Sequence, residues 1–273
     1  MPERQTEFHR RSIEDRDAFW SEQARLIDWQ RPFDDVLDYS RPPFARWFPG
    51  GTTNLCHNAV DRHLAARGDQ DALIWISTEV DKSESYTYRQ LHAEVNRVAA
   101  MMQSLGLKRG DRVIIYMPNM PEAVFAILAC ARLGAVHSVV FGGFAAASLA
   151  ARIDDARPVL MVTADGGSRM GKVIPYKPLV DESIKLSKYP PAKVLIYHRG
   201  LDPDMPSMPG RDIDWAELAG RHKSPAVPCT WLESSEPSYI LYTSGTTGKP
   251  KGVQRDVGEI GRASCRERVY SSV

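Results

Sequence analysis

The sequence is short of the features that mark secreted, membrane-spanning or nucleic-acid-binding chains. Four cysteines, Cys56, Cys130, Cys229 and Cys265, lie far apart and form no CxxC pair. Their spacing supports neither a disulfide framework nor a zinc site, so reduced thiols in a cytosolic protein are the expectation. The N-terminus, MPERQTEFHRRSIEDRD, has no apolar core of the kind a secretory signal needs. The most apolar helix-length stretch, Ala123 to Ala131, is about half the length that spans a bilayer and is closed by Arg132. It reads as a buried helix. Net charge is nearly absent, 35 basic against 34 acidic residues, so nothing global favours nucleic acid or a membrane surface as partner. The expected setting is cytoplasmic. No internal repeat or low-complexity tract is present.

What remains is ordinary globular material: 273 residues, 43% hydrophobic and 25% charged, enough for a sizeable core. Residues 1–64 read as an N-terminal extension. Ser12 to Trp29 looks helical with Phe19, Trp20, Leu26 and Ile27 as anchors, and the proline- and aromatic-rich run Arg41 to Gly51 is expected to cross the surface, pinned by its rings. Residues 65–258 alternate strands and helices. Ala72–Ile76 reads as a strand; Thr87 with Gln90 forms a capping box that opens a helix with Leu91, Val95, Val98, Met102 and Leu105 on one face. Arg112–Met117, Ala135–Phe141, Val159–Thr163, Lys193–Tyr197 and Ser238–Tyr242 are apolar strand-like runs, the last taken as the final strand. Helices are expected from Pro121 to Leu133, stopped by Gly134, from Ala146 to Ala156, and from Tyr176 to Ser187. Repeated βαβ units predict an α/β fold, a mostly parallel sheet flanked by helices.

The final strand runs into Thr243-Ser-Gly-Thr-Thr-Gly-Lys-Pro-Lys-Gly252, where four hydroxyls, three glycines and two lysines share ten residues. Glycines let backbone N–H groups approach an anion, hydroxyls donate to phosphate oxygens, and lysines supply charge. The Walker A pattern fails here. Gly245 and Gly248 are too close together, and Pro250 follows Lys249 where Ser or Thr should stand.

Tyr242 to Gly252, YTSGTTGKPKG, instead resembles the phosphate-binding signature of the adenylate-forming superfamily: acyl-CoA synthetases, luciferases and peptide-synthetase adenylation domains. Trp47-Phe48, Asn54-Leu55, Asp61-Arg62, His137 to Phe144 and Ala164-Asp165 resemble the short-chain acyl-CoA synthetases, from about residue 6 to Gly258. Gly252-Val-Gln-Arg-Asp256, Asn54 to Asn58 and Trp231 to Ser235 look most like the propionyl-CoA synthetases, with acetate activation the rival reading.

The resemblance implies a ligase that joins propionate to CoA through a propionyl-adenylate, using ATP with Mg2+ and releasing AMP and pyrophosphate. It assigns the ATP phosphates to Thr243, Ser244, Gly245, Thr246, Thr247, Gly248 and Lys249, with Lys251 a weaker candidate. It assigns CoA to Phe141, Gly142, Gly143, Arg169 and Lys172. Lys172 replaces the arginine of acetyl-type relatives, keeping charge but losing bidentate geometry.

Neighbouring acids Asp154 and Asp155 are expected to face solvent, and His137 to be a hydrogen-bonded core histidine. His57 and His63 have no cysteine at zinc spacing, so no metal ligand is assigned. Residues 259–273 depart from the family pattern and resemble the translation of a sequencing adaptor. They carry three arginines and two glutamates without a core-facing period. In the family the carboxylate pocket and the catalytic lysine come later than these residues. No catalytic residue is therefore assigned, and this stretch alone is expected to be an inactive or merely nucleotide- or CoA-binding fragment, its apolar sheet face exposed.

Overall fold

The computed structural model describes residues 2–169, 171–243 and 250–259. The N-terminal extension begins with two helices, α1 (Pro2–Glu14) and α2 (Arg16–Ala24), broken at Asp15 (φ −118°, ψ 48°) where the sequence pattern suggests one continuous helix further along. The break lets α1 fold against α2, so that Phe8 meets the buried Phe19 edge-on at 4.7 Å. Strands β1 (Leu37–Arg41) and β2 (Phe44–Trp47) form a hairpin around Pro42-Pro43. The aromatics do anchor this run: Phe48 is fully buried and touches Trp29, Phe33 and Trp47. Strand β3 (Thr52–Thr53) leads to α3 (Leu55–Ala59), whose N-cap Asn54 accepts from His57 N at 3.0 Å, and then to α4 (Leu64–Arg67).

Among the described residues, strands β4 (Asp71–Ser77) and β5 (Lys82–Thr87) pair only with each other, as an antiparallel hairpin apart from the main sheet. Helix α5 (Tyr88–Ser104) starts on the expected capping box. Thr87 Oγ1 accepts from Gln90 N (3.2 Å) and Gln90 Oε1 accepts from Thr87 N (2.8 Å). Its residues Leu91, Val95, Val98 and Met102 are buried. Thr87→Ala should cost about 1 kcal/mol of unfolding free energy; a urea midpoint equal to the parent's would refute the cap.

The central unit follows in βαβ order. It comprises β6 (Arg112–Met117), α6 (Pro121–Leu133), β7 (Val136–Phe141), α7 (Ala146–Ala156) and β8 (Leu160–Ala164). A small hairpin, β9 (Gly166–Arg169) with β10 (Lys172–Pro175), interrupts before α8 (Lys177–Leu186), β11 (Lys193–Tyr197), β12 (Asp212–Asp214) and α9 (Trp215–Gly220). Strand β13 (Leu232–Glu233) pairs with β3 and ties the extension to the core. The last two strands are β14 (Pro237–Thr243) and β15 (Lys251–Asp256).

The main sheet has the order β12-β11-β8-β6-β7-β14-β15. Every neighbouring pair is parallel except β14 with β15. Strand β15 corrects the expectation that Ser238–Tyr242 is the final strand. Its sequence KGVQRD has no apolar run, and among the described residues it pairs with β14 alone, at the edge of the sheet. Helix α5 packs on α6 and α7 on α8, flanking the sheet as expected. Val139, Phe141, Leu241 and Val253 alternate along β7, β14 and β15 on one face and stay exposed. No described helix is long and apolar enough to cross a membrane.

His137 is a core residue, stacked on Tyr239 at 5.7 Å. The expected hydrogen bond is missing at Nδ1, which has no partner among the described residues, and burial pushes the imidazole pKa down to about 4. Asp154 and Asp155 reach solvent as expected, Asp155 exposed and Asp154 half-buried, but both are also engaged. Asp154 Oδ1 accepts from the backbone N–H groups of Lys188 and Tyr189, and Asp155 Oδ2 accepts from the Tyr242 hydroxyl at 2.8 Å.

Candidate functional site

The order of the sheet reverses around β6, with β7 on one side and β8 on the other, and a cleft of about 600 Å³ opens at the carboxyl ends of these strands. In open α/β sheets this is where ligands are held. Met117, Pro118 and Asn119 line it from β6, Phe141 and Gly142 from β7, and Gly167 and Ser168 from β9. Glu79 lines the cleft from the β4–β5 turn. It is paired with Arg199, which also donates to Gly166 O at 3.0 Å and so fixes the β9–β10 hairpin in place. A second cleft, of about 430 Å³, lies on the β1–β2 hairpin among Asp38, Arg41, Phe44 and Arg46, away from the strand ends.

Two tyrosines shape the turn after β7. Tyr116, buried in β6, accepts from Gly143 N and donates to Phe144 O, both at 3.1 Å. Gly143 adopts φ +108°, a conformation that side-chain-bearing residues rarely take. Tyr176, 3% exposed, places its hydroxyl 2.1 Å from where a Cβ on Gly142 would sit and 2.3 Å from one on Gly167. Burial pushes the Tyr176 phenol up to about 12, so it stays protonated. The turn therefore passes tightly under Tyr176 and presents Phe141, 61% exposed, at the mouth of the cleft. An exposed ring there can stack on a planar base.

Arg169 and Lys172 stand directly opposite each other across the β9–β10 ladder. Lys172 is exposed, with no ion pair among the described residues.

Of the phosphate-loop candidates, Thr243 is the exposed last residue of β14, with Lys251 of β15 as its Cα partner. Ser244, Gly245, Thr246, Thr247, Gly248 and Lys249 lie outside the described residues. The structure brings together the two strands that flank them.

Sequence reasoning missed Arg152. Its guanidinium sits over the rings of Phe144 (4.7 Å) and Tyr242 (5.3 Å), joining the turn after β7 to the end of β14. It is buried and donates to Ser148 O at 2.6 Å. The only hint was a lone arginine within the apolar pattern of α7.

The model for AMP-binding enzymes matches residues 60–269, and the model for the acetyl-coenzyme A synthetase N-terminus matches residues 5–59. The chain is 60% identical to the propionate–CoA ligase of Salmonella typhimurium over 93% of its own length, and 59% identical to that of Escherichia coli over the same share. It spans 40% of the length of each. Among solved structures, an acetoacetyl-CoA synthetase from Streptomyces lividans superposes with a TM-score of 0.83 at 30% identity, covering 93% of this chain and 38% of that one. The chain belongs to the AMP-binding enzyme family, with a segment of the acetyl-coenzyme A synthetase N-terminal type before the matched region.

Proposed function

We propose that the protein to which these residues belong joins propionate to CoA at the expense of ATP. A propionate oxygen attacks the α-phosphorus and pyrophosphate leaves. The CoA thiolate then attacks the acyl carbon and AMP leaves. The observation that carries this reading is the 60% identity to a propionate–CoA ligase, together with the YTSGTTGKPKG run at the end of a parallel-sheet strand. Chemistry of this kind asks for positioning and charge neutralisation more than for a protein nucleophile.

In this reading Thr243, Ser244, Gly245, Thr246, Thr247, Gly248 and Lys249 hold the β- and γ-phosphates, with Mg2+ arriving bound to the nucleotide. Phe141 stacks on the CoA adenine, Gly142 and Gly143 let the backbone come close, and Arg169 with Lys172 take CoA phosphate. Since the chain spans 40% of its relatives' length, it is expected to bind without turning over when expressed alone.

Calorimetry with CoA tests the site. Lys172→Glu is expected to weaken CoA at least about tenfold, roughly 1.4 kcal/mol, and to flatten the salt dependence of binding. Equal affinity in the variant would remove Lys172 from the site. Steady-state rates of the full-length ligase with propionate and acetate, side by side, decide the substrate. A higher kcat/KM for acetate would overturn the propionate reading.

A further inference from the structure

Helix α3 and the segment entering β13 run side by side. Thr53 pairs with Leu232, Asn54 Nδ2 donates to Thr230 O at 2.8 Å, and the His57 ring lies 4.9 Å from Trp231. This run brings Cys56 to Cys229, although the sequence separates them widely. Their Sγ atoms and a carboxylate oxygen of Asp61 all lie within 4.8 Å of one another. Cys56 is fully buried, whereas Cys229 is half-buried and reachable. Arg132 closes the cluster, with Nη1 at 3.3 Å from Cys56 Sγ and 2.9 Å from Asp61 Oδ2, and Nη2 at 2.8 Å from Asp61 Oδ1. His92 Nε2 stands 3.4 Å from Asp61 Oδ1. The guanidinium holds the place beside Asp61 that a bound cation would take.

We propose that Cys56 and Cys229 form a reversible dithiol–disulfide pair that exchanges with low-molecular-weight disulfides. The Cys229 thiolate attacks a disulfide RS–SR, an S–S bond forms to one sulfur, and the other leaves as RS−. Cys56 sulfur then attacks Cys229 sulfur and the second RS− leaves. The two protein thiol protons end on the two released thiols, so the protein is oxidised by two electrons and the small disulfide reduced by two.

The order follows from the surroundings. The Cys56 thiol is pushed well above its usual range, first by its hydrogen bond with Cys229, then by burial and by negative charge on Cys229. Once Cys229 is bonded in the mixed disulfide, its charge is gone; Asp61 still opposes the Cys56 thiolate, but its carboxylate is engaged by Arg132, whose guanidinium stays 3.3 Å from Cys56 Sγ. Exposure starts the reaction at Cys229, and charge finishes it at Cys56. The closed bond ties α3 to the segment feeding β13 and β14. Cys130 stands apart, buried in α6 with its Sγ 4.0 Å from Met102 Sδ.

The test uses the whole chain carrying Cys265→Ser, incubated with oxidised glutathione and read by intact mass and non-reducing peptide mapping. The expected result is a loss of about 2 Da, a Cys56–Cys229 linked peptide, and full reversal by dithiothreitol. Adding Cys56→Ser should arrest the reaction as a glutathione adduct of about 305 Da on Cys229, and adding Cys229→Ser should leave Cys56 unmodified. A parent that keeps its dithiol mass, retains the adduct, or links through Cys130 overturns the proposal. If a variant fails to fold, the parent's peptide map alone decides.

Discussion

Arg132→Met is expected to lower the unfolding free energy by about 3–5 kcal/mol, the cost of breaking a buried ion pair from one side. The guanidinium is 4% exposed and the Asp61 carboxylate 18%. Both carboxylate oxygens are engaged, and Arg132 Nε donates to Val227 O at 2.5 Å. Methionine fills much of the same volume but leaves the Asp61 charge and the Val227 carbonyl without their donors. Urea denaturation at pH 7 reads the loss, and the double variant with Asp61→Leu should recover most of it. A single-variant loss under about 1 kcal/mol would mean that water reaches the pair and that it behaves as a surface ion pair.

The same pair sets a pH signature. Burial alone would raise the Asp61 carboxyl, but the hydrogen bonds and charge of Arg132 outweigh it, and the net shift is downward. A folded-state value below the unfolded one contributes stability that is complete above the ordinary carboxylate range, near pH 4, and is lost as pH falls through the lower folded value. Without Arg132, burial is opposed only by charge on His92 and His57, and the carboxyl moves up toward holding its proton. The gap between parent and Arg132→Met should therefore begin to narrow above about pH 4, as the variant's acid takes up its proton, and go on narrowing below it as the parent's does. A gap that stays constant would show that Asp61 is not the group responsible.

Gly142→Ala is the second large effect. The added Cβ would meet Tyr176 Oη at 2.1 Å and Cζ at 2.7 Å. Tyr176 cannot simply swing aside, since it is buried with its ring 5.0 Å from that of Tyr116. Overpacking of this kind costs about 1–3 kcal/mol, and the displaced ring should also deform the cleft that Tyr176 lines. Loss of CoA binding of tenfold or more is expected beside the stability loss. Gly106→Ala is the control, because Gly106 has φ +92° and nothing among the described residues within 4 Å of an added methyl. It should pay only the backbone cost, about 1 kcal/mol, and leave CoA binding unchanged. Equal behaviour of the two variants would remove Tyr176 as the reason for the glycine.

Much of the fold could be read from local pattern. Thr87 with Gln90, Pro121 at a helix start, Gly134 in the left-handed conformation at its end, and the apolar runs of β6, β8 and β11 act over a few residues, so neighbours in sequence suffice to specify them. The hairpin of β4 and β5 was half visible. Ala72–Ile76 read as a strand, yet nothing local showed that its partner is β5 and not the main sheet. Strand β15 was invisible because KGVQRD carries a single large apolar residue and so shows no strand period. The β9–β10 hairpin, built around Gly166 and Gly167, has too few side chains to show a period.

The candidate site divides the same way. The chain itself determined the YTSGTTGKPKG run, the family, and the alternation that makes a parallel sheet, because glycine, hydroxyl and lysine chemistry is written in adjacent residues. Only the tertiary structure decided that Arg152 bridges Phe144 and Tyr242, that Tyr176 reaches both Gly142 and Gly167, and that Cys56 meets Cys229 beside Arg132. Each of those contacts joins elements far apart in the chain. Their register is set by sheet order and helix packing, and no local period or cap encodes it.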